Sequence, residues 1–222
     1  VGSEMCIRDR SGGILTGSIA LLVSRLNHRY AGEREALAAA ERHRHELKIA
    51  QELLDKERLF IATELIFLLE QFAEGCARMA TDCGEPDPQG VYTPTENLPE
   101  LIIKNISGDW RALPPPIMYR IHELPVLQNE VRRHLAAYYE QYWEPPYLSP
   151  YYRERQFHYA RLGIKAVILA QRLRKLVGLP GTRLDATEWS AQLVLSRVWR
   201  KKRKERTEAK IRRLRKKTGE NS

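Results

Sequence analysis

The chain has 222 residues, 43% of them hydrophobic and 29% charged, with a net charge of +9 and a pI of about 9.6. This composition supplies one domain of ordinary size and excludes a chain too short or too polar to bury a core. The charge is local: Arg197 to Lys217 hold 13 Lys or Arg against Glu205 and Glu208, a net +11 that leaves −2 for everything else and excludes a uniformly basic surface.

The chain opens VGSEMCIRDR, a charged, patternless decapeptide abutting the apolar run GGILTGSIALLVSRL. Val1 to Asp9 resemble, codon by codon, the conceptual translation of a transposase adapter used to prepare sequencing libraries. The two bases left over, AG, encode Arg or Ser once a third is added, and position 10 is Arg. The resemblance implies that residues 1–10 are a non-native scar outside the fold, and that the native chain is entered, N-terminally truncated, near Ser11.

Residues 11–26 then read as a truncated apolar anchor. Gly12 to Leu26 is 15 residues and includes Thr16, Ser18, Ser24 and Arg25, short of the roughly 20 that a transmembrane helix needs. Apolar residues upstream would complete the span. Arg25, Arg29 and Arg34 follow it, and a Lys/Arg excess beside a span marks its cytoplasmic side. The expected location is a bacterial inner membrane with the C-terminal domain cytoplasmic.

Residues 27–46 predict a charged helical stalk. No proline occurs between Ser11 and Glu85, and GEREALAAAERHRHE is rich in strong helix formers with i,i+4 pairs such as Glu41/His45 and Arg42/Glu46. From Leu47 an apolar stripe of the packed or coiled-coil kind begins: Leu47, Ala50, Leu54, Ile61, Leu65, Leu68, Phe72, Cys76 and Met79. Phe60, Ile66, Phe67 and Leu69 widen it, so this section should lie deep in a bundle spanning 47–199. Glu64 and Glu70 argue against a second membrane span here.

Gly84, Pro86, Pro88, Gly90 and Pro94 predict a loop. A short helix is expected over Leu98 to Ile106. A further helix should start in the proline cluster 114–116, break or kink at Pro125 and continue to about Trp143. EPPYLSP is the next turn, and Tyr151 to Val177 the next amphipathic helix. GLPGT separates it from the last one, where Asp185 and Glu188 form an N-cap signature. Trp189, Leu193, Val194 and Val198 should hold its first half, while residues 200–222, with only Ile211 and Leu214 as large apolar residues, form a basic tail in solvent. No segment alternates with period 2, so the fold class is all-α: a long N-terminal helix, a small helical bundle and a protruding basic C-terminal helix.

Chemistry is sparse. His122-Glu123 begins like HExxH, but position 126 is Val and Pro125 intervenes. His43 and His45, two apart on a helix, point in different directions. No nucleotide-binding glycine motif or GxSxG occurs. Cys76 and Cys83, seven apart, would lie roughly 10 Å apart on a helix, out of disulfide reach; two free thiols suit a reducing compartment. No catalytic residue, cofactor or metal is expected, and the chain reads as a non-enzyme. Seven of the ten Tyr fall between Tyr138 and Tyr159 with Trp143 and Phe157, interleaved with Arg153 and Arg155. They suit packing around an interhelix turn, or an aromatic binding platform.

The expected function is a membrane-anchored helical interaction or structural protein whose tail contacts anionic lipid or an acidic partner. The residues assigned to that contact are Arg200, Lys201, Lys202, Arg203, Lys204, Arg206, Lys210, Arg212, Arg213, Arg215, Lys216 and Lys217. The alternative is a nucleic-acid binder that neutralises phosphates without reading bases, since the 200–217 segment has no Asn, Gln or aromatic residue. Self-association is left open. The layout is similar to that of bacterial proteins with an N-terminal anchor and a charged helix, a likeness of organisation that transfers no activity.

Overall fold

The computed structural model describes residues 8–142, 148–185 and 187–217. The fold is all-α, with four helices and one two-stranded β pair among the described residues. Helix α1 (Arg8–Thr81) is followed by β1 (Glu85–Pro86) and β2 (Tyr92–Thr93), which pair antiparallel, with Glu85 opposite Thr93. Two 3-10 turns, Ile103–Asn105 and Trp110–Ala112, lead to α2 (Pro115–Gln141), α3 (Ser149–Leu176) and α4 (Ala191–Lys217). The chain divides into two units, one ending at Leu54 and one beginning at Asp55.

In the first unit, α1 is a helix of Ala, Glu and Arg whose described side chains are almost all exposed, Leu37 and Leu47 included. No helix among the described residues is long and apolar enough to cross a membrane. The apolar run read as a truncated anchor at 11–26 is, as it stands, short of a span, since it reaches Arg25 before it reaches sufficient length.

The second unit is organised by the stripe on α1. Ile61, Leu65, Phe72, Cys76 and Met79 are buried together with Ile121, Leu124 and Leu135 of α2, Tyr159, Leu162, Ala166 and Leu173 of α3, and Leu195 of α4. Ile66 and Leu69 join this core, whereas Phe60 and Phe67 are more than half exposed. The apolar face of α1 is thus narrower than its composition suggests.

Four local expectations are corrected. The 98–106 segment is extended apart from one 3-10 turn, because the buried Gln128 side chain binds its backbone, donating to the Pro99 carbonyl and accepting from Leu101 N–H at 3.3 Å. Helix α2 runs unbroken through Pro125. Helix α4 begins at Ala191 rather than after Asp185, with Ser190 Oγ accepting from Thr187 N–H at 2.7 Å. Trp189 is 83% exposed and holds nothing; Leu195, fully buried, takes that role.

Several rings of the Tyr-rich region pack on one another at the end of α2 and between α2 and α3. Tyr138 lies 4.4 Å from Tyr142, and Tyr139 lies 5.1 Å from Tyr151, between ring centroids. Tyr152 and Tyr159 are buried. Trp143 and Tyr147 lie outside the described residues.

Cys76 is buried on α1, where burial pushes its thiol pKa up, and Cys83 is exposed beyond the helix end. In a Cys6→Ser background, a thiol reagent should modify Cys83 faster than Cys76 by on the order of 100-fold or more. Equal labelling rates would contradict the placement of Cys76 in the core.

Candidate functional site

Helix α4 divides into an anchored first half and a basic second half. Leu195 packs on Gly163 of α3, where an added Cβ would come within 2.7 Å of the leucine methyls and 2.8 Å of Cys76 Cβ. That approach requires glycine, and it brings α1, α3 and α4 together at one point. Gln171 Nε2 donates to Gln192 Oε1 at 2.8 Å across the same contact.

The second half carries every tail residue singled out from the sequence. Arg200, Lys201, Arg203, Lys204, Arg206, Lys210, Arg212, Arg213, Arg215 and Lys216 are exposed, Lys202 is half-buried, and Lys217 closes the helix. Residues 200–204 are five consecutive cations, more than one helical turn of 3.6 residues, so positive charge surrounds the axis rather than marking one side. Over residues 200–217 the rise is about 26 Å. Acidic neighbours are few: Lys202 reaches Glu205 at 3.7 Å and Arg212 reaches Glu208 at 3.7 Å. The guanidinium of Arg203 lies 5.0 Å from the Trp199 ring.

Arg206 makes the long-range contact. Its Nη1 donates to Glu154 Oε2 on α3 at 2.7 Å, and its guanidinium lies 4.2 Å from the Phe157 ring. Around the same carboxylate oxygen, His134 Nε2 of α2 lies at 3.6 Å and His158 Nε2 of α3 at 3.5 Å. Three helices thus converge on one carboxylate. The His158 contact, opposed by burial and assisted by Arg206, holds Glu154 down at about 2. A neighbouring pocket of about 230 Å³ is lined by His134, His158, Glu130, Arg161 and Lys165 over an apolar floor.

This cluster was not visible from composition. The usable signal was the i,i+4 pair Glu154 and His158 on one predicted helix; His134 is 20 residues earlier and joins it only because α2 and α3 pack side by side. The histidines considered from sequence go elsewhere. His43 and His45 lie on the exposed first unit, and the His122 ring packs 4.7 Å from Trp110. Compared with protein-family models, curated proteins and solved structures, the chain matches none.

The Glu154 cluster sets a pH window. The folded group titrates near 2 against an ordinary value of 4.5, so its contribution to stability is fully present above about pH 4.5 and is lost as pH falls towards about 2. In urea unfolding, the stability gap between the wild type and Glu154→Gln should close as pH falls from about 4.5 to about 2. A gap unchanged at pH 2.5 would show that the carboxylate charge contributes nothing.

Proposed function

We propose that this chain is a helical interaction protein that holds an anionic surface through the basic second half of α4. The observation carrying the reading is the helical, largely exposed run from Arg200 to Lys216, anchored to the bundle by Leu195 and by Arg206 on Glu154. Such a helix presents charges at fixed spacing, so less side-chain and backbone order must be imposed on binding than in a disordered tail. In this reading the surface is anionic lipid at a bacterial inner membrane, or an acidic protein beside it. Support comes from the apolar 11–26 segment with Arg25, Arg29 and Arg34 behind it, which would place the bundle on the cytoplasmic side. Each Lys or Arg close to such a surface contributes about 1 kcal/mol at low salt. No catalytic role is assigned.

One observation favours a second reading. Over 200–216 only Ile211 and Leu214 are large and apolar, which leaves α4 without the apolar face that an interfacial membrane helix buries. Cations all round a helix suit phosphates of a nucleic acid equally well, with no base readout.

The test is binding of the full chain, and of a chain lacking 200–222, to anionic vesicles, neutral vesicles, duplex DNA and RNA. Membrane function predicts that only anionic vesicles are bound and that the deletion abolishes it. Nucleic-acid function predicts affinity falling by about 10³-fold between 50 and 200 mM salt, if some six phosphates are neutralised. Unchanged binding after the deletion contradicts both.

A further inference from the structure

We infer that His134, Glu154 and His158 form a site for a divalent transition-metal ion of the zinc class, and that this ion competes with Arg206 for the Glu154 carboxylate. The three side chains each offer one ligand atom, and these atoms all lie within 4.8 Å of one another. Two of the separations, 3.5 Å and 3.6 Å to Glu154 Oε2, approach the spacing of about 3.3–3.4 Å that bonds of about 2.0–2.1 Å impose on a tetrahedral ion. Two imidazoles and one carboxylate are the donor set that suits zinc, nickel and copper rather than magnesium or calcium.

The histidine geometry points the same way. His158 Nε2 is buried without a hydrogen-bond partner, its 3.5 Å approach to Glu154 Oε2 lying at the outer limit of hydrogen-bond reach. Buried polar atoms are nearly always satisfied, and a metal ion is one of the few groups that satisfies an imidazole nitrogen without needing its proton. The 230 Å³ pocket beside His134 and His158 gives a fourth, water-filled position its access. Glu154 and His158 sit one helical turn apart on α3, so two of the three ligands are preset by the helix itself.

Arg206 is the competitor. Its guanidinium holds Glu154 Oε2 from α4 and is nearly half exposed, with open solvent to turn into. A dication taking its place keeps the carboxylate neutralised. The exchange removes the Arg206 to Glu154 bond that ties the basic half of α4 to α3, so metal loading and the hold on that half are linked. The metal site itself does not depend on what α4 binds.

The test is titration of the untagged, chelator-treated full chain with Co²⁺, read by visible absorption of the bound ion, and with Zn²⁺ by calorimetry. One ion per chain is expected. His134→Ala and His158→Ala should each weaken binding by at least about 10–100-fold, the cost of losing even a supporting group at such sites, while His122→Ala leaves it unchanged. Arg206→Ala should tighten it by about tenfold. Absence of stoichiometric binding, or binding that survives both histidine substitutions, overturns the inference. Should a histidine variant fail to fold, Arg206→Ala decides: unchanged or weaker affinity overturns it.

Discussion

A buried ion pair, Arg155 with Asp82, underlies the second unit. Both side chains are almost completely removed from water, at 2% and 1% exposure, and two charges taken that far inside are tolerated only when every remaining lone pair and proton finds a partner. Here nearly all do. Asp82 accepts from Arg155, from the N–H groups of Gly84 at 2.8 Å, Thr95 at 3.2 Å and Glu96 at 3.2 Å, and from the Thr95 hydroxyl at 2.9 Å. Burial alone would raise its pKa, but these bonds, Arg155 first among them, bring it down to about 2. Arg155 also donates to the Glu96 carbonyl at 2.8 Å, and Gln156 to the Asp82 carbonyl at 3.0 Å. One carboxylate therefore ends α1, closes the 85–96 hairpin and seats α3.

The remainder of the site is built outward from α3. One and two turns on from Arg155, Tyr159 and Leu162 enter the core, and Gly163 makes room for Leu195 of α4. One residue before Arg155, Glu154 faces a different side of α3 and gathers His134, His158 and Arg206. Adjacent residues on a helix project about 100° apart, so the neighbours Glu154 and Arg155 serve opposite purposes. Arg155 fixes the helix, and Glu154 presents a half-buried carboxylate to two other helices. The division of charge along the chain follows the same plan. The +11 of 197–217 is concentrated on α4, while the near-neutral rest supplies Glu154, which holds Arg206.

What could be read from the sequence was what depends on local period and composition. The α1 stripe from Ile61 on, the all-α class and the isolation of Ile211 and Leu214 in a basic helix all follow from residues three and four apart, whereas the first members expected in the stripe, Leu47, Ala50 and Leu54, are exposed. Most of the failures come from a partner distant in sequence; the start of α4 is the local exception, where Ser190 Oγ accepts from Thr187 N–H. The 98–106 segment has the apolar content of a helix, yet Gln128 claims its backbone. Asp185 has the look of a cap, but helix α4 starts later, at Ala191. Trp189 is large and apolar enough to anchor α4, and Gly163 instead selects Leu195. Arg155, counted in the sequence as one more cation among tyrosines, is the most consequential charge in the unit, and its partner lies 73 residues away. The Glu154 cluster is hidden for the same reason, since its members come from three helices.

The most direct measurement is a double-mutant cycle at Asp82 and Arg155, using equilibrium unfolding of Asp82→Ala, Arg155→Ala and the double variant. If the pair organises the unit, each single substitution leaves an uncompensated buried charge and costs about 3–5 kcal/mol. The double variant should then cost clearly less than the sum of the two, with a coupling of about 0.5–3 kcal/mol. Single costs that add within about 0.5 kcal/mol would show instead that the two residues act independently, and that α1, the hairpin and α3 are held by apolar packing alone.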